Sequence, residues 1–514
     1  MFRRFRLFRR FGSFRRFSTF RRIPSFRRFR PSHPLRLRLR MRPMTAPVKR
    51  RRAPLLVLCG VHFMLVLDDT VVSVALPTLR AELGFGTGGL TWVANAYLLA
   101  YGGLLMPAGR AGDLYGRRRV FLLGVTLFGL ASLGCGLAQE PWQLVAGRFA
   151  QGAGAALAGP GALALLTLLY PGDGERARAL GLWGGLAALG GTTGLVVSGA
   201  LTGLASWRWI FLVNLPVVLV TLFLVPRLVD ESRAPRAPRL DIPGALLGTG
   251  AVTALVYGLI RAGDAGWGST AVTVPLLLSA VLAGVFVVVE RRAVAPLVPR
   301  GFLADRVRAV SNGTGLLFTA VFFALSFLLM LRLQTALGYG PLRAGLAFVP
   351  YGLAILAGVW LSSRAVVRIG VRRTLVSAFL VGAVGLLTLA QVSPGDGYAS
   401  GVLPGVLLAA LGSGLGAPAL AVGGVSGTTE DDAGVGSAVL GSVQQVGGAI
   451  GIAGLVTLAV RQDPGAGHGA GSLDGYASAL YVAAGVLVLG AVLVHTLLPA
   501  VPGTRAASES AGTR

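Results

Sequence analysis

Apolar stretches of about twenty residues recur along the chain from residue 54 onward, separated by short segments rich in arginine, glycine and proline. A helix needs about 20 mainly apolar residues to cross the hydrocarbon core of a membrane. The pattern therefore predicts an all-α membrane protein with fourteen transmembrane helices and no inserted soluble domain. Their approximate bounds are 54–77, 89–109, 119–138, 142–169, 178–203, 207–226, 241–261, 270–290, 308–331, 342–362, 372–391, 398–424, 434–460 and 476–499. The central pair, 241–261 and 270–290, can also be read as a linker region.

The arginines are distributed unevenly between the two sides of this arrangement. If the N-terminus lies inside, the inner loops and the C-terminus together hold 21 arginines, and the loops on the opposite side hold six. Positive charge near helix ends resists translocation. We therefore expect a multi-pass protein of the bacterial cytoplasmic membrane with both termini in the cytoplasm.

The composition excludes a soluble globular protein. Only 13% of the residues are charged and 54% are hydrophobic, against about 25% charged in soluble proteins. The two cysteines form no disulfide framework or metal-ligand pattern, and none of the four histidines pairs with a plausible nucleophile or metal set. We expect no enzyme activity, no metal, no cofactor and no nucleic-acid partner.

The net charge of +28 arises mainly in residues 1–53, which hold twenty basic residues and no acid. Three interpretations of this arginine- and phenylalanine-rich tract remain open. It is a disordered arm attracted to anionic lipid, a nucleic-acid-binding segment, or sequence ahead of a true start at Met41 or Met44. We expect the last of these.

The most informative polar segment, residues 109–119, joins the second and third predicted helices, and we call it the signature loop. Its pattern Gly-x-x-x-Asp-x-x-Gly-Arg-Arg resembles the corresponding loop of the major facilitator superfamily of transporters. The resemblance implies a gating role for the matching residues, with Asp113 capping a helix N-terminus and the arginines clamping helix ends. The matching residues are Gly109, Asp113, Gly116, Arg117 and Arg118.

Residues 364–373 repeat part of the signature loop, because five residues of 110–119 recur there in register. A facilitator fold has two six-helix halves related by a pseudo-twofold axis. The second copy lies between helices 10 and 11, two places later than twelve helices would put it. The repeat therefore predicts two six-helix halves and a central extra pair. The expected divisions are 1–53 (arm), 54–226 (first half), 227–307 (linker with the extra pair), 308–500 (second half) and 501–514 (cytoplasmic tail).

Two acidic residues in the first helix, Asp68 and Asp69, are the strongest candidates for chemistry, because ionisable groups at membrane depth are costly and mark ion or substrate pathways. The run from Leu67 to Pro77 resembles the first-helix motif of the fourteen-helix drug:proton antiporter family, with Asp68 at the acidic position of the motif. Adjacent residues point about 100° apart on a helix. Only one of the two carboxyl groups need face a central cavity. The resemblance implies that Asp68 exchanges the proton, and Asp69 could titrate too.

Arg148 is an isolated charge within the fourth helix and needs a carboxylate or carbonyl partner there. Its segment resembles the fourth-helix motif of the family, in which the arginine is associated with proton transfer; a purely structural role also fits. Helix 5 has the glycine spacing of the antiporter motif, but Leu195 replaces the proline of that motif. The glycines of this helix-5 motif are Gly181, Gly190, Gly194 and Gly199.

Together these resemblances imply a monomeric secondary transporter, driven by protons, that exports amphipathic drugs or other small organic compounds. No Walker-type nucleotide-binding loop is present, which favours an ion gradient as the driving force. A proton-coupled importer or facilitator on the same scaffold, and a non-transporting membrane sensor, are the alternatives. Candidates for the lining of the substrate cavity are Trp92, Asn95, Tyr97, Asn312, Gln334 and Gln444.

Overall fold

The structure is a computed structural model of the chain. It describes residues 48–170, 173–233, 241–293, 296–298, 301–393, 396–426, 433–461 and 473–499. The predicted basic arm lies almost entirely outside the described residues, and the predicted tail lies wholly outside them. Within these ranges the regular structure is helical and contains no strand, which confirms the all-α prediction.

Thirteen helical segments in the described part of the chain are long and apolar enough to cross a membrane. We label them α1 to α14, because one of them contains a break and counts as two. The two central helices are continuous, so this region is a helix pair and not an extended linker. The bounds are α1 (Val48–Leu83), α2 (Thr87–Tyr115), α3 (Arg117–Gly136), α4 (Pro141–Leu169), α5 (Asp173–Leu204), α6 (Trp209–Leu228), α7 (Ile242–Ala265), α8 (Thr270–Arg292), α9 (Arg306–Thr335), α10 with α11 (Pro341–Ala390), α12 (Tyr398–Gly424), α13 (residues 433–461) and α14 (Leu473–Leu497).

The break in the longest segment lies at Gly370, where φ is 80° and ψ is 167°. A straight helix of 50 residues would be about 75 Å long, more than twice the thickness of a membrane core of about 30 Å. Residues 341–369 therefore form α10 and residues 371–390 form α11. Gly116 separates α2 from α3 in the same way, with φ at 114°. Because Gly116 and Gly370 are equivalent in the sequence repeat, the repeat extends to the shape of the backbone.

Contacts between helices follow the same internal symmetry. Within the first six helices, α1 packs on α5 and α6, and α4 packs on α2 and α3. Among the last six, α9 packs on α13 and α14, and α12 packs on the α10–α11 unit. Between the two groups, α2 contacts α13, α5 contacts α10, and α1 contacts α9. The α2–α13 and α5–α10 contacts are symmetry-equivalent under a pseudo-twofold axis, and α7 packs on α2 beside the first of them.

Glycine allows the tightest helix pairs to form. A methyl group at Gly124 of α3 would lie 2.6 Å from the backbone nitrogen of Ala158 in α4. At the equivalent crossing of the second group, a methyl group at Gly385 of α11 would lie 2.3 Å from the backbone nitrogen of Ala409 in α12. In lipid, helices associate through such close packing, since apolar side chains gain little by leaving lipid for protein.

Candidate functional site

The centre of the first six helices contains a buried ion pair between Asp68 of α1 and Arg148 of α4. The two side chains are 0% and 1% exposed, and a terminal guanidinium nitrogen of Arg148 lies 2.6 Å from Asp68 Oδ2. Arg148 also donates from Nε to the backbone oxygen of Val93 in α2, at 3.0 Å. The candidate arginine and one of the candidate carboxylates are therefore direct partners.

Three further polar side chains complete this cluster. Asp68 Oδ1 accepts hydrogen bonds from Asn214 Nδ2 of α6, at 2.8 Å, and from Gln151 Nε2 of α4, at 3.1 Å. Gln151 Oε1 accepts from Arg148 at 2.9 Å, and Gln151 Nε2 also donates to Ser132 Oγ of α3 at 2.7 Å. Both oxygens of Asp68 are thus satisfied, as a buried carboxylate requires.

Tyr97 covers the guanidinium group of this cluster. The guanidinium carbon of Arg148 lies 4.3 Å from the centre of the Tyr97 ring, a cation–π distance. The ring is fully buried, and the phenol hydroxyl donates to the backbone oxygen of Leu65. Tyr97, a candidate for the lining of the substrate cavity, shields Arg148 inside the helix bundle.

Asp69 lies next to this cluster but does not belong to it. Its side chain is partly exposed, and no donor within the described residues lies at hydrogen-bond distance from its carboxylate. Asp69 is within electrostatic range of Arg148 and Tyr101. His62, seven residues earlier on the same face of α1, stacks on Trp183 of α5 with ring centres 3.9 Å apart. The two adjacent carboxyl groups therefore have different surroundings: Asp68 is buried and fully paired, and Asp69 is partly exposed and has no hydrogen-bond donor among the described residues.

The other cavity candidates are separated in space. Asn312 of α9 donates to the backbone oxygens of Arg308 and Gly424, so it ties α9 to α12. Gln334 of α9 donates to the backbone oxygen of Val74 in α1 at 2.8 Å, which links the two groups of six helices. Asn95 of α2 is fully buried, and neither atom of its amide has a partner in the described part of the chain.

The two remaining cavity candidates lie on α2 and α13. Trp92 of α2 is partly buried, and its ring centre lies 6.2 Å from that of Tyr257 in α7. Gln444 is a partly buried residue of α13. Neither belongs to the Asp68 cluster.

The helix-5 glycines form two contacts. Gly190 and Gly194 pack α5 on α1, since a methyl group at Gly194 would lie 3.1 Å from the backbone oxygen of Leu67. A methyl group at Gly199 would lie 2.5 Å from the backbone oxygen of Pro341 in α10, so this glycine packs across the two groups of helices. Gly181 lies near the start of α5. Helix α5 is continuous through Leu195, the position at which the family motif has proline.

The signature loop differs from expectation at Asp113. This residue does not cap a helix N-terminus: it lies in the last turn of α2, and its carboxylate pairs with Arg117 at 2.8 Å. The N-terminus of α3 is capped instead by Glu231, which accepts hydrogen bonds from the backbone nitrogens of Arg118 and Arg119 at 3.0 and 3.2 Å. A carboxylate at this end of a helix is favoured by the helix dipole. Glu231 is not among the residues predicted from the sequence, although an acidic residue among the arginines that follow α6 indicates such a role.

The expected clamping of helix ends is present at Arg118. Its guanidinium group donates to the backbone oxygen of Val229, at 2.9 Å, just beyond the end of α6. Gly109 is not tightly packed, since a methyl group there would lie at an ordinary van der Waals distance, 3.9 Å, from Pro160 of α4. The signature loop and the segment after α6 thus form one connected structure.

We expect Gly116→Ala to destabilise this junction by about 1–3 kcal/mol, because an L side chain rarely adopts its backbone conformation. An added methyl group would also lie 2.8 Å from the carboxyl carbon of Glu231. The free energy of reversible unfolding in mixed micelles measures the effect. Gly134→Ala in α3 is the matched control, because nothing lies within 4 Å of the added methyl group and alanine favours the helix. Equal stabilities for the two variants would contradict the assignment.

The fold and the charged cluster inside it define a multi-pass membrane transporter built from two equivalent groups of six helices. The sequence profile of the Major Facilitator Superfamily matches residues 58–452, and the chain belongs to this family. It is therefore a transporter and not an enzyme.

Curated relatives extend over nearly the whole chain. The puromycin resistance protein pur8 of Streptomyces alboniger is 39% identical over 90% of this chain and 94% of its own length. The cephamycin export protein CmcT of Amycolatopsis lactamdurans is 38% identical over 87% and 92%. A crystal structure of a POT family transporter in complex with a thioalcohol-conjugated peptide matches with a TM-score of 0.64 at 16% identity, over 87% of this chain and 96% of that one. This structural match concerns the fold alone.

Proposed function

We propose that the protein exports amphipathic organic compounds, antibiotics among them, across the bacterial cytoplasmic membrane in exchange for protons. The relatives named for puromycin resistance and cephamycin export support the direction of transport and the substrate class. The observation that carries proton exchange is the partly exposed carboxyl group of Asp69, without a hydrogen-bond donor among the described residues, beside the buried Asp68–Arg148 ion pair.

The charge balance of the cluster assigns different roles to the two carboxyl groups. Asp68 accepts hydrogen bonds from one guanidinium group and two amides, and a negative charge on it is cancelled by Arg148. Asp69 has no such partner and determines the net charge of the site. The site is then negative when Asp69 is ionised and neutral when Asp69 is protonated.

This arrangement provides a simple physical basis for exchange. An ionised Asp69 attracts an amphipathic cation, and a proton on Asp69 removes that attraction. Proton and substrate therefore compete for one carboxylate, and each weakens the binding of the other by the same free energy. Protonation from one side and release to the other would couple the proton gradient to export of the substrate.

Alternating exposure of this site requires the two groups of six helices to rock. The symmetry-equivalent α2–α13 and α5–α10 contacts are the interfaces at which the two groups would rotate against each other. We assign residues 54–226 and 308–500 to the two moving halves and 227–307 to the linker with the extra pair. The arginine bias supports a cytoplasmic position for both termini.

Asp69→Asn is expected to abolish export driven by a pH gradient, because the amide cannot take up a proton. Proteoliposomes with an imposed pH gradient and a fluorescent cationic dye provide the measurement. Export by the variant should fall to the level of empty vesicles, and binding of the cationic dye should weaken, because the neutral amide lacks the charge that attracts a cation. Glu82→Gln is the control, because Glu82 is an exposed carboxyl group of α1 paired with Arg208. Export by Asp69→Asn at the wild-type rate would refute proton coupling at this residue.

A further inference from the structure

A second pair of carboxyl groups lies outside the candidate site, at the start of α7 and the end of α8. Asp241 is the N-cap of α7, and its Oδ1 accepts a hydrogen bond from the backbone nitrogen of Gly244 at 2.9 Å. Its side chain is 92% buried, since the residue is 8% exposed. The other oxygen, Oδ2, is buried and has no hydrogen-bond donor among the described residues.

The carboxyl group of Glu290 also has a donor for only one of its two oxygens. Its Oε1 accepts a hydrogen bond from the backbone nitrogen of Val298 at 2.7 Å. Its Oε2 is buried and, within the described ranges, has no donor. Each carboxyl group therefore has one oxygen bound to backbone and one oxygen without a donor.

The two oxygens without donors converge. A methyl group at Gly244 would lie 2.6 Å from Asp241 Oδ2 and 3.1 Å from Glu290 Oε2. The two carboxyl groups are thus placed to form a hydrogen bond with each other. Two ionised carboxylates cannot do so, because both are acceptors only, and like charges at this distance repel.

The charged groups around the pair do not supply the missing donor. Arg110 of α2 acts on both carboxyl groups electrostatically, but its guanidinium group donates to the backbone oxygens of Pro296 and Leu297. Arg291 and Arg292, which follow Glu290 on α8, are exposed. Among the described residues, the charged groups that act on Glu290 are Asp241 and Arg110.

We propose that Asp241 and Glu290 form a binding site for one shared proton. Taken from the aqueous phase, the proton bridges Oδ2 and Oε2 and leaves the pair with a single negative charge, which faces Arg110. The protonated pair fastens the start of α7 to the end of α8 and to residues 296–298. This site is separate from Asp69 and does not depend on the transport mechanism. Because α7 packs on α2, protonation of this site would make the packing of the extra helix pair on α2 depend on the pH of the surrounding solution.

Single amide substitutions test the shared proton directly. In Glu290→Gln the amide nitrogen can donate to Asp241 Oδ2 while the amide oxygen keeps the bond from Val298; Asp241→Asn achieves the converse. Wild-type protein in nanodiscs should lose thermal stability as the pH rises from about 5 to about 8.5, as the shared proton dissociates. Either single variant should keep its stability across that range. The double variant should be less stable than both, because two N–H groups then face each other.

Infrared spectroscopy in the Asp69→Asn background, which removes the other carboxyl group proposed to take up a proton, provides a second measurement. In that background a carbonyl stretch of a protonated carboxyl group should be present at neutral pH and should be lost when Glu290→Gln or Asp241→Asn is added. Asp305→Asn is the matched control: Asp305 is also an N-cap, of α9, and its substitution should leave the band and the pH profile unchanged. Stability of the wild type that depends on metal salts and not on pH would overturn the proposal. A band that survives in Glu290→Gln and Asp241→Asn would also overturn it.

Discussion

Replacing Asp68 with alanine should lower the free energy of unfolding by about 3–5 kcal/mol, the cost of breaking a buried ion pair by removing one partner. The substitution would leave Arg148 fully buried without its counter-ion. It would also remove the acceptor of Asn214 and one acceptor of Gln151. Reversible unfolding in mixed micelles measures the loss.

Two comparisons separate the ion pair from general damage to the helix. The double variant Asp68→Ala, Arg148→Met should recover much of the lost stability, because removing both charges is often close to neutral. Glu82→Gln breaks an exposed ion pair and should cost less than about 1 kcal/mol. If Asp68→Ala were as stable as Glu82→Gln, the pair would not be the electrostatic centre of the first six helices.

Replacing Gly199 with valine should eliminate transport while the protein remains folded. The backbone oxygen of Pro341 leaves no space for a side chain at this position, since a methyl group would lie 2.5 Å from it. The contact joins α5 to α10 across the two groups of helices. The valine side chain should therefore keep the two groups apart where α5 meets α10. Dye export in proteoliposomes and the rate of cysteine labelling at the α5–α10 contact report the two effects.

Gly191→Val provides the matched control for that experiment. Gly191 lies on the same helix, and nothing is within 4 Å of a methyl group added there. The control should export dye at close to the wild-type rate. Export at that rate by Gly199→Val would instead show that the α5–α10 contact need not close during transport.

The fold was largely predictable because membrane crossing imposes a length and a composition that can be read locally. Apolar segment length identified the helices, including the uncertain pair at α7 and α8. The arginine repeat identified the two equivalent breaks, and Gly116 and Gly370 both have positive φ. The sequence predicts fourteen helices, whereas the described residues form thirteen membrane-length helical segments. The difference arises at Gly370, because the helical segment continues through the break there.

The candidate site was predictable only in part. Asp68 and Arg148 stand out because charge is rare at membrane depth. Their partners are distant in sequence and ordinary in type. Asn214 follows a Trp-Arg-Trp sequence and has no charge that would distinguish it at membrane depth, yet its amide binds Asp68. Which of two adjacent carboxyl groups is paired depends on the rotation of α1 against four other helices, and no local pattern encodes that rotation.

The composition of the Asp68 cluster bears on how such a protein can acquire new cargo during evolution. The cluster draws side chains or backbone from α1, α2, α3, α4 and α6, and within the described residues α5 contributes no hydrogen bond to it. Mutations on the five connected helices risk exposing a buried charge. Away from the glycines that pack on α1 and α10, helix α5 can change its inward-facing side chains without that penalty, so inherited shifts in substrate range have a less constrained route along it.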